Sequence, residues 1–197
     1  MSTTKYIVNN VTGQTINGES ILPKYKVYTA LLTQSGGDGP QSIYEGELTI
    51  GVTYFINGSA ILDGCDFTNV GAPNNESGTY FVATGTTPNW GNTVNPDMLT
   101  YNNGAPVVTV LENTIGNIWF ERGGVGYYNV FSGPDPLFPI GKTVYFLGSV
   151  GDDPASPSYG FLRSGGEDSC RILTQDFTNT DQDSMLNNTP IEIRVYN

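Results

Sequence analysis

The sequence consists largely of short runs of β-branched and aromatic residues, separated by clusters of glycine, proline, asparagine and aspartate. Such runs are typical of strands, and the clusters between them contain the residues that turns require. We therefore expect an all-β protein, an antiparallel β-sandwich with few helices or none. The predicted strands cover residues 5–8, 25–33, 53–56, 80–83, 107–111, 118–121, 127–131, 143–147, 171–174 and 191–196.

The last of these strands has the clearest alternation of apolar and polar residues, which predicts an antiparallel sheet with one packed face. Residues 107–147 are predicted to form a meander with turns at 112–117 and 121–126. The glycines of the second turn allow positive φ in a hairpin and do not form a phosphate cradle. The connection 132–141 contains three prolines and is expected to arch over the surface. In the alternating strand 191–196, the side predicted to be packed carries Ile191, Ile193 and Val195, and the side predicted to face solvent carries Glu192, Arg194 and Tyr196.

The charge of the chain restricts its partners. Eight basic and nineteen acidic residues give a net charge of −11, which opposes binding to nucleic acid phosphates. No apolar run is long enough to span a bilayer, and the start of the sequence lacks a secretory signal. We expect a chain made in the cytosol that neither enters a membrane nor binds nucleic acid.

The sequence contains no histidine, which removes the usual general base and the usual partner of a serine or cysteine nucleophile. A glycosidase could instead use paired carboxylates, for which Glu45 with Glu47 and Asp152 with Asp153 are the candidates. Neighbouring acids in glycine-rich turns more commonly face solvent. We therefore predict that the protein is not an enzyme and has no catalytic residues.

An oxygen-rich stretch near the end of the sequence is the best candidate for a calcium site, because hard cations prefer oxygen ligands. Its spacing matches no EF-hand loop. A turn stabilised by Asn and Asp side chains explains the same composition and is the favoured interpretation, so we predict no metal and no cofactor. The stretch contains Asp176, Asn179, Asp181, Asp183 and Asn187.

The two cysteines, Cys65 and Cys170, are too few for a zinc site without histidine. We predict free thiols, with a single long-range disulfide between them as the alternative.

Trp90 and Trp119 have the chemistry to stack on sugar rings but are interpreted as core aromatics. Residues 148–166 form a predicted long loop or extended hairpin. Its Tyr159 and Phe161 are candidate contact residues.

Two groups of phrases resemble virion proteins of tailed bacteriophages. The first joins YKVYTALLTQSG at 25–36 to APVVTVLENT at 105–114. These two pieces run on directly in such proteins and are separated here; the resemblance then continues through 118–122, 126–128 and 191–196. The second group resembles a small module of many phage structural proteins. It comprises LTIGVTYFI at 48–56, DFTNVGA at 66–72 and FVATGTTPNW at 81–90.

The resemblance implies a sandwich host domain (25–38 and 104–197), an inserted small β module (39–103) and an N-terminal arm (1–24). It implies a virion structural accessory protein, such as a head decoration or head-fibre component, and transfers no catalytic residues. The alternative is a tail or fibre-tip adhesin that binds a host receptor or surface glycan.

We expect the protein to be located in the virion, with other capsid or tail proteins as partners. A homo-oligomer, dimer or trimer, is predicted because exposed sheet edges are commonly satisfied by symmetric partners. The arm is the predicted anchor, because it can add a strand to a neighbouring sheet. The arm residues concerned are Lys5, Tyr6, Ile7 and Val8.

Overall fold

The computed structural model of the chain describes residues 15–16, 19–20, 25–35, 37, 39–58, 64–91, 98–133, 136–149 and 158–197. Within them the fold is all-β and sandwich-like, as predicted, with antiparallel sheets and one short 3-10 helix, Thr68–Val70. No helix in this part of the chain is long and apolar enough to cross a membrane.

Most predicted strands are confirmed, and three of them (25–33, 53–56 and 143–147) have the predicted bounds. The prediction at residues 5–8 lies outside the described residues. The strands are β1 Thr15–Ile16, β2 Glu19–Ser20, β3 Tyr25–Thr33, β4 Pro40–Ile43, β5 Thr53–Ile56, β6 Tyr80–Val82, β7 Leu99–Asn102, β8 Val107–Asn113, β9 Ile118–Gly124, β10 Tyr127–Ser132, β11 Thr143–Leu147, β12 Ser158–Ser164, β13 Ser169–Asp176 and β14 Thr189–Tyr196.

Two four-stranded sheets form the larger part of the fold, which we call the sandwich unit. Their strand orders are β11-β14-β3-β8 and β12-β13-β10-β9. Side chains from both sheets meet in one core that includes Tyr28, Phe120, Tyr128 and Ile193. The alternation predicted for β14 is confirmed, since its isoleucines are buried and its charged residues lie on the opposite face.

The meander predicted for residues 107–147 is wrong. Only β9 and β10 form a hairpin, because β8 pairs with β3 and β11 pairs with β14. The turn after β8 leads the chain to the other sheet. In this turn the Asn113 carboxamide oxygen accepts hydrogen bonds from the N–H groups of Ile115 (3.1 Å) and Gly116 (3.2 Å). The Ile115 side chain is buried in the sandwich core. Strands that face one core from opposite sheets have the same local pattern as neighbours in a meander.

The proline-rich connection 132–141 does more than arch over the surface. Phe138, only 1% exposed, enters the sandwich core, and its ring meets that of Tyr145 edge-on at 6.0 Å. Its N–H donates to the Glu167 carbonyl at 2.8 Å. The predicted long loop or extended hairpin at 148–166 contains β12, which is one strand of an antiparallel hairpin whose second strand, β13, follows this segment.

Residues 40–102, which we call the small unit, surround a second core. Their sheet has the order β4-β7-β5-β6, and among the described residues its apolar face is covered by loops and the 3-10 helix. Asp66 fixes the start of that helix, since its carboxylate accepts bonds from the Thr68 N–H (2.9 Å) and hydroxyl (2.7 Å). The core side chains are Leu48, Tyr54, Ile56, Cys65, Phe67, Val70, Ala72, Phe81, Ala83, Met98 and Leu99.

The small unit leaves the sandwich after β3 and returns before β8, and these two strands pair with each other up to Thr33 and Val107. The two connections between the small unit and the sandwich unit lie in contact at Gly37 and Gly104. A Cβ added at Gly104 would lie 2.6 Å from the Gly37 carbonyl oxygen and 2.2 Å from the Arg122 side chain, so only glycine fits there. The Gln34 side-chain amide donates to the Gly104 carbonyl at 3.2 Å and ties this joint to the sandwich.

Candidate functional site

The outer face of the sheet β11-β14-β3-β8, turned away from the sandwich core, carries several large exposed apolar side chains. Phe146 and Val144 on β11 are 48% and 41% exposed, and Leu111 on β8 is 61% exposed. Large exposed apolar groups at both edges of one open face make this surface a candidate interaction site. We call this surface the outer face and take it as the candidate functional site.

The strand registers place the residues of this face in rows across the sheet. Phe146 pairs with Glu192, Glu192 with Thr29, and Thr29 with Glu112. Side chains in one row lie on the same face, because pleating puts directly opposed residues on the same side. One row therefore runs from an apolar edge through a polar centre to the opposite edge.

Arg194 lies in the next row, between two aromatic rings. Its guanidinium carbon is 5.1 Å from the centre of the Tyr25 ring and 5.2 Å from that of Phe146, and the guanidinium donates to the Glu192 carboxylate. This hydrogen bond, followed by one involving Tyr196, raises the pKa of Arg194. The Arg194 cation thus has one carboxylate partner and two aromatic neighbours, of which Phe146 is largely exposed.

Leu111 is exposed because of a β-bulge. Thr29 pairs with Glu112 and Ala30 with Val110, so Leu111 is the extra residue between them. A bulge redirects the side chain of the inserted residue and bends its strand. Leu111 therefore forms a ridge along the β8 edge of the outer face.

Two adjoining depressions lie beside this ridge, of about 450 Å³ and 560 Å³. The first lies between Leu111, Phe146 and Pro190, and both share Thr29 and Glu192 on their floor. The outer face is thus a trough bounded by Leu111 at one edge and Phe146 at the other.

The charged side chains of the trough are not balanced. Glu112, Glu192 and Arg194 line it, whereas Lys26 pairs with Val195 and so lies on the packed side of the sheet. The outer face is therefore a partly apolar surface with two acidic groups and one basic group.

A second concave feature, the seam cleft, lies between the small unit and strand β9. It has a volume of about 190 Å³ and is lined by Phe55, Tyr80, Tyr101, Glu121 and Arg122 among others. Burial, followed by the charge of Glu121, raises the pKa of Tyr80. The cleft thus combines aromatic rings with one acidic and one basic side chain.

The wall of the seam cleft is held by an aromatic stack and a hydrogen bond. The Tyr80 ring lies parallel to Trp119 at 5.2 Å, and Trp119 in turn stacks on Phe131 at 5.8 Å. The buried hydroxyl of Thr53 accepts the N–H of Phe120 at 3.2 Å. These contacts join β5 and β6 of the small unit to β9 and β10 of the sandwich.

Asp183, one of the calcium candidates, is occupied by the protein itself. Its carboxylate pairs with the Arg122 guanidinium at 2.7 Å and accepts the Gly126 N–H at 2.9 Å. The Tyr128 hydroxyl lies 3.0 Å from both Asp183 and Gln34, to one of which it donates. Burial raises the pKa of Asp183, but the bonds from Arg122, Gly126 and Tyr128 outweigh it, so the pKa is lowered overall. The carboxylate serves as a structural anion.

Gly126 can approach Asp183 only because it is glycine. Its φ is +63°, and a Cβ there would lie 2.5 Å from the Thr174 carbonyl oxygen. The β9–β10 turn thus has the positive φ that the sequence predicts.

Asp176 forms the side-chain-stabilised turn favoured for this stretch. Its carboxylate accepts the Thr178 hydroxyl (2.6 Å) and the N–H groups of Thr178 (2.8 Å) and Thr180 (3.0 Å). The Thr178 hydroxyl, followed by the Thr180 N–H, lowers its pKa. Asp181 accepts the Gln175 side-chain amide at 2.8 Å. Within the described parts of the chain, no three His, Cys, Asp or Glu side chains are grouped to hold a metal.

The structure places the other candidates as follows. Glu45 and Glu47 are both exposed, while Asp152 and Asp153 lie outside the described residues. Trp90 is half-buried against the small-unit core, with its indole N–H donating to the Gly46 carbonyl at 2.8 Å.

Both cysteines are buried free thiols, as predicted, and each lies in a different core. Burial raises the pKa of Cys170, so this thiol is unreactive in the folded protein. The Cys65 thiol lies 3.0 Å from the Trp90 carbonyl oxygen.

The predicted contact residues stay predictions. Tyr159 and Phe161 lie on β12, opposite Gln175 and Leu173, and their side chains are outside the described part of the structure. The arm residues Lys5, Tyr6, Ile7 and Val8 are likewise outside it.

Sequence reasoning missed the outer face, although one signal was present. Strand β11 is apolar at nearly every position, including Val144 and Phe146 on the face opposite Tyr145. An edge strand that is apolar on both faces indicates a covered surface on each side.

Comparisons of the chain with protein families, curated proteins and solved structures find no match. The functional argument therefore depends on the geometry of the outer face and the seam cleft, together with the phrases that resemble phage virion proteins.

Proposed function

We propose that this chain is a non-enzymatic structural accessory protein of the virion of a tailed bacteriophage, such as a head decoration or head-fibre component. One observation carries the proposal. The two pieces of the first phage-like phrase form the neighbouring strands β3 and β8, and the residues between them surround a core of their own. A module inserted into a hairpin that is continuous in the resembled proteins would have this arrangement.

The outer face supports an assembly role. A protein present in many copies on a symmetric particle needs only modest contacts, because repetition supplies avidity. In this proposal the chain is made in the host cytoplasm and incorporated as a homo-oligomer. The arm with Lys5, Tyr6, Ile7 and Val8 anchors it to capsid or tail proteins, and the small unit faces outward.

The test is a cryo-electron reconstruction of phage particles that contain this protein, with particles from a deletion mutant as the matched control. The proposal predicts a difference density that repeats over the capsid surface or its vertices, with the arm at the lattice. Intact particles that lack the protein altogether would contradict it.

A second candidate, a tail or fibre-tip adhesin, is favoured by the seam cleft. Ligand sites commonly lie at the junction of two structural units and combine aromatic with a few polar side chains, and the rings and Glu121 of the cleft suit a sugar unit.

The adhesin candidate predicts that purified protein binds host cells or their surface polysaccharide. Binding should fall in Glu121→Ala and persist in Glu47→Ala, a control that removes an exposed carboxylate elsewhere. Equal binding by both variants would remove the cleft from consideration, and density confined to the tail apparatus would favour the adhesin over the head protein.

A further inference from the structure

We propose that the outer side of the sheet β12-β13-β10-β9 binds an acidic polysaccharide, with Arg171 as the partner of its carboxylates. We call this surface the aromatic face, and it is defined by Trp119, Tyr127, Phe131 and Arg171. The proposal rests on the adhesin candidate and deepens it, because it names the class of glycan and a surface outside the seam cleft. It can be tested on purified protein without any virion.

The strand register brings the residues of the aromatic face together. Alternate residues of β10 and β13 are buried in the sandwich core, so the residues between them point away from that core. Trp119 of β9 lies opposite Phe131 of β10, and Asn129 of β10 lies opposite Arg171 of β13. Phe131 and Arg171 are thus diagonal neighbours on adjacent strands, about 7 to 8 Å apart. A short oligosaccharide can contact both side chains.

Arg171 is an oriented cation without a carboxylate partner. The residue is exposed, and its guanidinium carbon lies 5.6 Å from the centre of the Tyr127 ring. Within the described residues, no salt bridge or side-chain hydrogen bond involves Arg171. A ring orients a guanidinium without neutralising its charge. The group therefore remains able to bind a carboxylate through two parallel hydrogen bonds.

The acidic side chains beside this face already have partners in the protein. Glu121 lies on β9, and its carboxylate accepts the Trp119 indole N–H at 3.2 Å. Asp168 lies in the turn before β13, and its carboxylate accepts the Ser169 hydroxyl at 3.1 Å. Neither acid is joined to Arg171, so the positive charge of the face is not neutralised by a direct ion pair.

The strand beside β13 adds a second arginine. Arg163 of β12 pairs directly with Arg171, although the whole sequence contains only eight basic residues. Like charges at opposed positions destabilise a strand pair, and a bound carboxylate offsets this repulsion. The predicted contact residues Tyr159 and Phe161 occupy alternate positions of the same strand. By position they therefore share the aromatic face.

The stack that begins in the small unit ends on this face. The Trp119 ring lies 5.2 Å from that of Tyr80 and 5.8 Å from that of Phe131. The residue opposite Phe131 on β13 is the small Ser169, so this row has no large side chain beyond the last ring. Aromatic rings beside a few polar groups are typical of sites that bind sugars and other small ligands.

Tyr127 and Asn129 supply polar groups between the stack and Arg171. The Tyr127 ring lies against β9, because a Cβ added at Gly123 would be 2.3 Å from it. Its hydroxyl donates to the Asn129 carboxamide oxygen at 2.9 Å. This bond fixes the orientation of the carboxamide, so the Asn129 N–H groups are the donors that a sugar hydroxyl or carboxylate can meet.

The charge of the chain selects a carboxylated glycan over other polyanions. A net charge of −11 repels any polyanion at long range, and salt screens this repulsion beyond about 8 Å at physiological ionic strength. Nucleic acid has a phosphate on every nucleotide and needs several cations in a row, which this face lacks. One carboxylate held by Arg171 is a modest contact, and repetition of the chain on a particle would supply avidity.

The test is isothermal titration calorimetry of the purified chain with a panel of carboxylated polysaccharides: polygalacturonate, alginate, hyaluronate and polysialate. Neutral dextran and polyglutamate are the controls, since the first lacks carboxylates and the second lacks sugars. We expect at least one member of the panel to bind with a Kd below about 1 mM, more weakly as salt is added. Neither control polymer should bind.

Variants of the face assign the binding to its residues. Arg171→Gln should weaken binding roughly tenfold or more, because a charged hydrogen-bond partner is lost. Arg171→Lys should lose less, since it keeps the charge without the planar fork. Phe131→Leu should weaken binding roughly fivefold, whereas Phe131→Tyr keeps the ring and should bind like the wild type.

Lys142→Gln is the charge-matched control, because Lys142 is an exposed basic residue in the turn before β11. It removes one positive charge away from the aromatic face and should leave binding unchanged. Circular dichroism and the melting temperature confirm that each variant is folded.

Four results would overturn the proposal: no binding to any carboxylated polysaccharide, equal binding by Arg171→Gln and the wild type, an equal loss in Lys142→Gln, or equally tight binding of polyglutamate. Loss of binding in Glu121→Ala but not in Arg171→Gln would place the sugar in the seam cleft and leave the adhesin candidate standing. A chain that occurs in phage particles but binds none of the panel would refute this proposal alone. A chain that binds but is absent from particles would refute the virion function alone.

Discussion

The two cores of this chain are built differently. The sandwich core lies between two four-stranded sheets and has a buried polar network at one end, in which Arg122, Asp183 and Tyr128 take part. The small-unit core lies between one sheet and a cover of loops. Loops contribute fewer cooperative backbone bonds than a second sheet, so we expect the small unit to open at a lower free energy than the sandwich.

Truncation of a buried phenylalanine in each core should separate the two units most strongly. Phe67→Ala in the small unit and Phe120→Ala in the sandwich, both fully buried, should each cost about 3 to 5 kcal/mol, because a large cavity is left behind. Amide hydrogen exchange should show Phe67→Ala accelerating β5, β6 and β7 while β13 and β14 keep their protection. Equal acceleration of all five strands would mean that the two cores open together.

Loss of the polar network should weaken the sandwich alone. Asp183→Asn leaves the Arg122 cation without its carboxylate, and since the two side chains are 12% and 21% exposed, we expect a cost of about 2 to 3 kcal/mol. Thermal unfolding of the variant measures this cost. Cys65, in the small-unit core, should remain as protected from labelling as it is in the wild type.

The same carboxylate gives the sandwich a pH dependence. The folded pKa of Asp183 lies below its ordinary value, so its contribution to stability is complete above about pH 4 and is lost as the pH falls through the folded pKa. In Asp183→Asn the decline in stability between about pH 4 and pH 2 should be shallower. Parallel curves for wild type and variant would contradict this role.

Much of this fold could be predicted because it is locally encoded. The strand at 191–196 alternates clearly, the run at 25–33 is rich in β-branched and aromatic residues, and Gly126 marks a tight turn. The pairing of β8 with β3 rather than with β9 could not be predicted from the local pattern, because the small unit separates these two strands in the sequence. Strand β4 begins with Pro40, which argues against a central strand, and Pro40 is tolerated because β4 is an edge.

The outer face was harder to predict than the fold. The exposure of Leu111 results from a register shift against Thr29, and a register exists only once two distant segments pair. Asp183 shows the same limit, since its partner Arg122 lies 61 residues away. The turn at Asp176 was predictable because its partners lie within six residues.

The seam offers a test of how strongly the two units are coupled. Thr53→Val removes the hydroxyl that accepts the Phe120 N–H and leaves a buried donor unpaired, at a cost of about 1 to 2 kcal/mol. Thr53→Ser retains the hydroxyl and is the control. Denaturant titration should show a loss of stability in the valine variant and a clearly smaller one in the serine variant; identical losses would assign the effect to packing instead.

The smallest expected effect concerns the aromatic stack. Trp119→Leu keeps an apolar side chain but loses the stacking on Tyr80 and Phe131, worth about 1 kcal/mol. We expect faster exchange of the β6 amides with little change in β13. A variant whose β6 exchange matches the wild type would show that the stack does not couple the units.

Cysteine labelling in wild-type protein tests the two-core account most directly, because Cys65 lies in the small-unit core and Cys170 in the sandwich core. The protein is incubated with a thiol reagent at increasing urea concentrations, and the modified cysteine is identified by mass spectrometry. The account predicts that both thiols are unreactive without urea and that Cys65 becomes reactive at a lower urea concentration than Cys170. Labelling of both cysteines at the same concentration would contradict it, because the chain would then unfold as one unit.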